Sequence, residues 1–244
     1  TRFTPLSKIC KIGTGSLFSS KETTEKIEPV PLKFEAAFVE EAVFLVIKNH
    51  EEAGNSHPLV ELFYQEKDPI YETASESDRE VRFRKFYEHY FTQLGLRCLF
   101  EEVFAEFPLL ANSKLPTLIR QTSNPKQEGA ELYAAGEMKT IIVKLRVTKI
   151  LDKLPLQSFL RQELMHISDM LDPAFGYSPE APLGGSSEVE ENLIRDRFRR
   201  LWNEYVAMRV KGFAVKSYTQ KELIQLAHEH ESPGFLKELA PSAG

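Results

Sequence analysis

The sequence predicts an α+β fold dominated by helices, with a small β-hairpin or sheet packed beside one central helix. Three observations carry this expectation. Apolar residues recur at helical spacing through residues 32–106. That period gives way to alternation at 140–148, where Ile141, Val143, Leu145 and Val147 interleave with Lys144, Arg146 and Thr148. It returns at 154–171, where Leu156, Leu160, Leu164, Ile167 and Leu171 fall on one stripe at about 100° per residue.

Length and composition narrow the class. A chain of 244 residues makes one large domain or two modest ones. Its 42% hydrophobic and 27% charged residues are the balance of a soluble globular protein. The net charge of −5 argues against a nucleic-acid binder that works by neutralising phosphates. Two cysteines, Cys10 and Cys98, make neither a disulfide scaffold nor, alone, a structural zinc site. No apolar run reaches the roughly 18 residues that a membrane span needs. The opening stretch TRFTPLSKICKIGTGSLFSS lacks the apolar centre of a signal peptide, so the expected location is cytoplasmic.

Residues 1–31 read as a flexible N-terminal segment. Gly13-Thr14-Gly15 does not continue into a phosphate-loop pattern, and Ser16 does not sit in a G-x-S-x-G elbow. Residues 32–108 read as a helical subdomain. Phe34, Phe38, Ala42, Leu45 and Val46 mark its first helix, ending near Ala53-Gly54-Asn55; Pro58 to Gln65 mark a short second. Ser77-x-x-Glu80 reads as the capping box of a third. There Phe83, Phe86, Tyr87, Tyr90, Phe91 and Leu94 form a wide aromatic face, broken at Gly95. Such a face is core or lines a ligand groove, and core is the commoner use. Leu96 to Phe107 continues as a fourth segment up to Pro108.

Residues 109–244 read as the α+β subdomain. A polar connection over 109–128 leads to strands at 131–134 and 140–148, joined by a turn at Ala135-Gly136-Glu137. The central helix follows and stops near Asp172, because Pro173 disfavours helical geometry in the residue before it. After a proline- and glycine-rich loop to Gly185, Ser187-x-x-Glu190 caps a helix to about Lys211, with Trp202, Tyr205 and Arg209 on one side. Thr219-x-x-Glu222 caps a last helix through about His230.

The central helix carries Gln162-Glu163-Leu164-Met165-His166. Gln162 and His166 are four residues apart and share a side of the helix. Glu163 sits at the edge of the apolar stripe, where a carboxylate is costly unless paired or bound to a metal. The string resembles the H-E-x-x-H active-site helix of the zinc metallopeptidases, the zincins, here written QELMH. The resemblance spans about residues 130–212, with a strand before the helix and a long helix after it. It leaves the helical front half unexplained.

The resemblance implies a zinc ion held by His166, a peptide or protein as substrate or partner, and Glu163 as the base acting on metal-bound water. Gln162 stands at the first ligand position and offers only a neutral amide oxygen, a poor donor to zinc. The third ligand is Asp172, six residues after His166, or Glu204 on the following helix. Asp169 stands where the pattern with a ligand at 172 has glycine. The expected function is therefore a zincin-like fold with a degraded metal site, weak or inactive as a peptidase.

Structural roles compete for each residue. Glu204 pairs with Arg200, Asp172 serves the helix end, His166 is a satisfied flank histidine, or Glu163 pairs with Arg195, Arg197, Arg199 or Arg200. A di-iron bundle needs a second E-x-x-H unit, and the only one is 163–166. The alternative from a different class is a non-catalytic helical protein-interaction module that uses the aromatic face at 83–94 for a partner.

Overall fold

The computed structural model describes residues 31–54, 58–136, 138–231, 233, 234 and 236. The expected N-terminal segment, with Cys10, Gly13-Thr14-Gly15 and Ser16, lies outside them, as do Asn55 and Glu137 of two expected turns. The elements run β1 (Leu32–Phe34), α1 (Ala36–Glu52), α2 (Pro58–Tyr71), α3 (Glu76–Gln93), α4 (Leu96–Phe104) and α5 (Pro108–Ser113). They continue β2 (Thr117–Gln121), β3 (Gly129–Ala135), β4 (Met138–Leu145), α6 (Lys153–Leu171), α7 (Glu188–Val210) and α8 (Gln220–Glu229). The fold is α+β and predominantly helical, as the sequence predicts.

The chain divides into two compact units. Of the described residues, the first holds those from 31 to Glu106 and Ala111–Ser158; the second holds Phe107–Leu110 and those from Phe159 to 236. The division therefore falls inside α6, not at the change of sequence texture near 108.

In the first unit the sheet has the order β1-β2-β4-β3. β1 pairs parallel with β2, and β2 with β4. Parallel neighbours need a crossover, supplied between β1 and β2 by the intervening helices. β3 and β4 form the expected antiparallel hairpin, with Ala135 opposite Met138. Gly136 opens its two-residue connection at φ +62°, where a side chain is disfavoured. β4 buries Ile141, Val143 and Leu145 on one face.

Several boundaries differ from expectation. The stretch 109–128 contains α5 and the mid-sheet strand β2. Only Thr117 and Ile119 of β2 are buried, too short a pattern to stand out among polar neighbours. β4 stops at Leu145, and Val147–Leu151 turns as a 3₁₀ segment. α3 is capped by Ser75, which accepts from the Asp78 amide at 3.3 Å, so Ser77 lies inside the first turn. α2 runs on through Pro69 to Tyr71, and Phe34 belongs to β1.

α1 packs on α3, and α3 on α2 and α4. Phe38, Phe63, Tyr90 and Phe100 are fully buried there. Phe34 meets Phe91 at 4.9 Å and Phe100 at 5.2 Å between ring centroids, in tilted and edge-on geometries that aromatic quadrupoles favour. The buried Tyr90 hydroxyl donates to Glu66 at 2.9 Å.

In the second unit α7 packs on α8 around Phe175, Ile194, Phe198, Trp202 and Leu223, with Met165 and Met170 of α6 against this core. Ser187 caps α7 through the Glu190 amide, as the sequence predicts. At α8 the capping box of Thr219 and Glu222 is complete. No described helix is long and apolar enough to cross a membrane.

Candidate functional site

α6 turns its polar flank toward α7. Gln162 Nε2 donates to the Asn203 carbonyl at 3.3 Å. One turn on, the His166 ring stands edge-on to Trp202, 4.7 Å between centroids at 85°. Three residues further lies Asp169, only 2% exposed. Its carboxylate accepts from the Trp202 indole N–H at 2.9 Å and from the Arg209 guanidinium at 2.6 Å. The Arg209 guanidinium also lies 5.0 Å from the centroid of the Tyr205 ring.

Burial pushes the His166 pKa below its ordinary 6.5, and the Arg209 charge adds to that push. The Asp169 carboxylate and a hydrogen bond with the Asn203 side chain oppose them without reversing the sign. The imidazole is therefore neutral near pH 7.

The other predicted residues do not join this cluster as metal ligands. Asp172 closes the helix: its carboxylate accepts from the Ala174 amide at 2.8 Å, the turn role that competed with ligation. Glu163 and Glu204 are half-buried, and each interacts with a neighbour. Among the described residues, no three of His, Cys, Asp and Glu come together as a group that can hold a metal ion. Zinc needs three converging protein ligands. As placed, this donor set does not fit a zinc centre, and no metal-dependent step is derived from it.

Sequence reasoning missed Asp169, which it weighed only as a departure from glycine. A signal was present. Asp169 follows His166 by three residues, and Trp202 and Arg209 lie seven apart, two turns along one face of α7.

A second site lies in the first unit, where α1 and α3 flank a concavity of about 370 Å³. Val39 and Glu40 line one side; Glu80, Phe83, Tyr87 and Glu88 line the other. An adjoining concavity of about 460 Å³ shares Glu40 and Tyr87 and adds Glu41, Phe44, Lys67 and Gln121. The aromatic face of α3 is thus divided. Phe86, Tyr87, Tyr90 and Phe91 are buried, whereas the half-buried Phe83, with the edge of Tyr87, borders open space.

Tyr87 is held neutral. Burial, the Glu40 carboxylate and the neighbouring Tyr71 and Tyr64 push its pKa up to about 12. The Lys67 ammonium lies near three rings, at 5.7 Å from Phe63, 5.5 Å from Tyr64 and 5.8 Å from Tyr71. Among the described residues, no ion pair reaches Glu40, Glu41, Glu80 or Glu88. Gln121 Oε1 is buried and makes no protein hydrogen bond.

Compared with known proteins, the chain matches no family model, and no curated protein or solved structure matches it. What the coordinates define is a predominantly helical α+β protein with a braced α6–α7 pair and an open acidic, aromatic groove.

Asp169→Ala leaves the Trp202 N–H and the Arg209 charge without their acceptor. It is expected to cost about 3–5 kcal/mol in urea unfolding, the range for breaking a buried pair from one side. A loss below ~1 kcal/mol would mean that solvent reaches the carboxylate.

The His166 shift has a definite sign. Unfolding returns the imidazole to 6.5, so the unfolded chain takes up the proton first as pH falls. Stability from the neutral ring is complete above that value and declines below it. The urea midpoint should drop between about pH 7.5 and pH 5, and less steeply in His166→Gln. Equal slopes in the two proteins would remove His166 as the cause.

Gln162→His places two imidazoles at i and i+4 without a converging third donor. The purified variant is expected to carry no stoichiometric zinc by elemental analysis. Stoichiometric metal in it would restore the zincin reading.

Proposed function

We propose that this protein is a non-catalytic helical interaction module that receives a peptide segment of a partner in the groove between α1 and α3. One observation carries the reading: two adjoining concavities share Tyr87 and Glu40, with aromatic walls and four carboxylates that outnumber the two cations beside them, Lys67 and Arg84. Ligand sites combine a concave shape with apolar surface and placed polar groups, and Val39, Phe83 and Tyr87 give the first concavity such a wall. The Asp169–Trp202–Arg209 cluster supports the same conclusion from the other unit. It gives Asp169 of α6 and Arg209 of α7 a structural task.

A second reading keeps one support. The chain order β4, α6, α7 around Glu163 and His166 follows the zincin pattern. On that reading the protein is an eroded metallopeptidase relative, and the zinc measurement on Gln162→His decides it.

The groove is tested by peptide display against the whole protein, followed by affinity measurement. Selected peptides are expected to bind in the micromolar range. Phe83→Ser and Phe44→Ser should each weaken them about tenfold, the ~1–2 kcal/mol of a lost aromatic anchor. Circular dichroism melts confirm that both variants fold. Peptides that bind both variants as well as the parent would place the docking surface elsewhere.

A further inference from the structure

We infer that the segment received in this groove is basic and apolar, with an arginine seated in the concavity bordered by Glu40, Phe44 and Gln121. The inference rests on the interaction reading above and names the partner's chemistry.

Charge complementarity is the first argument. Four carboxylates border the two concavities, Glu40, Glu41, Glu80 and Glu88, against two cations, Lys67 and Arg84. Lys67 is already placed near three ring faces. Arg84 is exposed on α3, with Glu80 four residues before it and Glu88 four after. The local balance is therefore two negative charges in excess, on a chain that itself carries −5. An acidic segment is repelled here, and a basic one gains.

The second argument is the shape and chemistry of the two spaces. Val39, Phe83 and Tyr87 give the first an apolar wall suited to an aliphatic or aromatic side chain. The second is bordered by the exposed Glu40 and Glu41 carboxylates, adjacent on α1. Phe44, 46% exposed, adds a ring face. A guanidinium suits this combination of negative charge and an exposed ring face. It carries five N–H donors in one plane and stacks on aromatic rings, whereas an ammonium is a compact point charge with three donors.

The test uses the whole protein and fluorescence anisotropy. The probes are labelled synthetic peptides of about twelve residues. One alternates arginine with leucine and phenylalanine. In the others glutamine or lysine replaces arginine, or serine replaces the apolar residues. The basic apolar peptide is expected to bind, and to bind at least about tenfold less tightly when salt rises from ~50 to ~500 mM. Each altered peptide should bind more weakly, the glutamine peptide least of all. The double variant Glu40→Gln, Glu88→Gln should lose about tenfold toward the basic peptide and nothing toward the glutamine peptide.

Equal binding of the serine peptide would mean non-specific attraction and overturn the inference. So would groove-dependent binding of neutral or acidic peptides, which leaves the groove reading intact. Binding indifferent to Phe83→Ser and Phe44→Ser would instead remove the groove itself. Displacement of the probe by a synthetic peptide of residues 1–20 would give the groove to this chain's own basic segment and overturn a separate partner.

Discussion

A buried carboxylate sets the terms for the second unit. Asp169 is almost without solvent contact, and a charge so placed is tolerated only with partners of good geometry. Its two oxygens take the Trp202 indole N–H and the Arg209 guanidinium, donors two turns apart on α7. That pairing fixes the axial register of α6 on α7 as well as the rotation of each helix. With Trp202 held in place, its ring becomes the surface on which Phe175, Tyr177, Phe198 and His166 pack. The bond from Gln162 to Asn203 continues the same seam one turn earlier. Gln162, His166 and Asp169 thus form one polar line along α6, answered residue by residue from α7.

A different constraint shapes the first unit. A sheet with parallel neighbours must be crossed by helices, and α1 follows β1 directly, so the start of α1 lies near the sheet edge. There the chain supplies Ala36 and Ala37. These short side chains, with Val39, border the space that Phe83 and Tyr87 of α3 line from the other helix. Small residues on one helix beside large ones on the next leave a groove instead of an interlocked seam. Farther along α1, Val43, Val46 and Ile47 are buried and the helix is closed against its neighbours. The groove is local to the place where side-chain size changes.

The sequence makes the longer helices legible because they carry several turns of apolar period, and the hairpin legible because β4 alternates. Short elements escape it. β1 offers three residues and β2 two buried positions, and neither outweighs the polar residues around it. The caps at Ser187 and Thr219 are read correctly, whereas at α3 the cap is Ser75 and not Ser77. The site is harder still. Pattern alone identifies Gln162, Glu163 and His166 as side chains on one helix. What meets them depends on residues some 40 positions away, and no spacing rule links Asp169 to Arg209 before the helices are packed.

The QELMH string then has a physical account that needs no metal. Leu164 is fully buried and Met165 packs against the α7–α8 core, as an amphipathic helix requires. His166 is chosen as much by the Trp202 edge as by any ligand role. An amphipathic helix with a polar flank produces such strings readily, so the convergence of donors carries the information, not the string. Ion pairs answer carboxylates in both units. In the second, ion pairs answer the carboxylates of Asp169, Glu222 and Glu231. Beside the groove of the first, the exposed carboxylates of Glu40, Glu41, Glu80 and Glu88 form no ion pair among the described residues. A folded chain satisfies its buried polar groups where it can. Exposed carboxylates make no such demand, and what this groove offers is a surplus of negative charge beside the Phe44 and Phe83 rings.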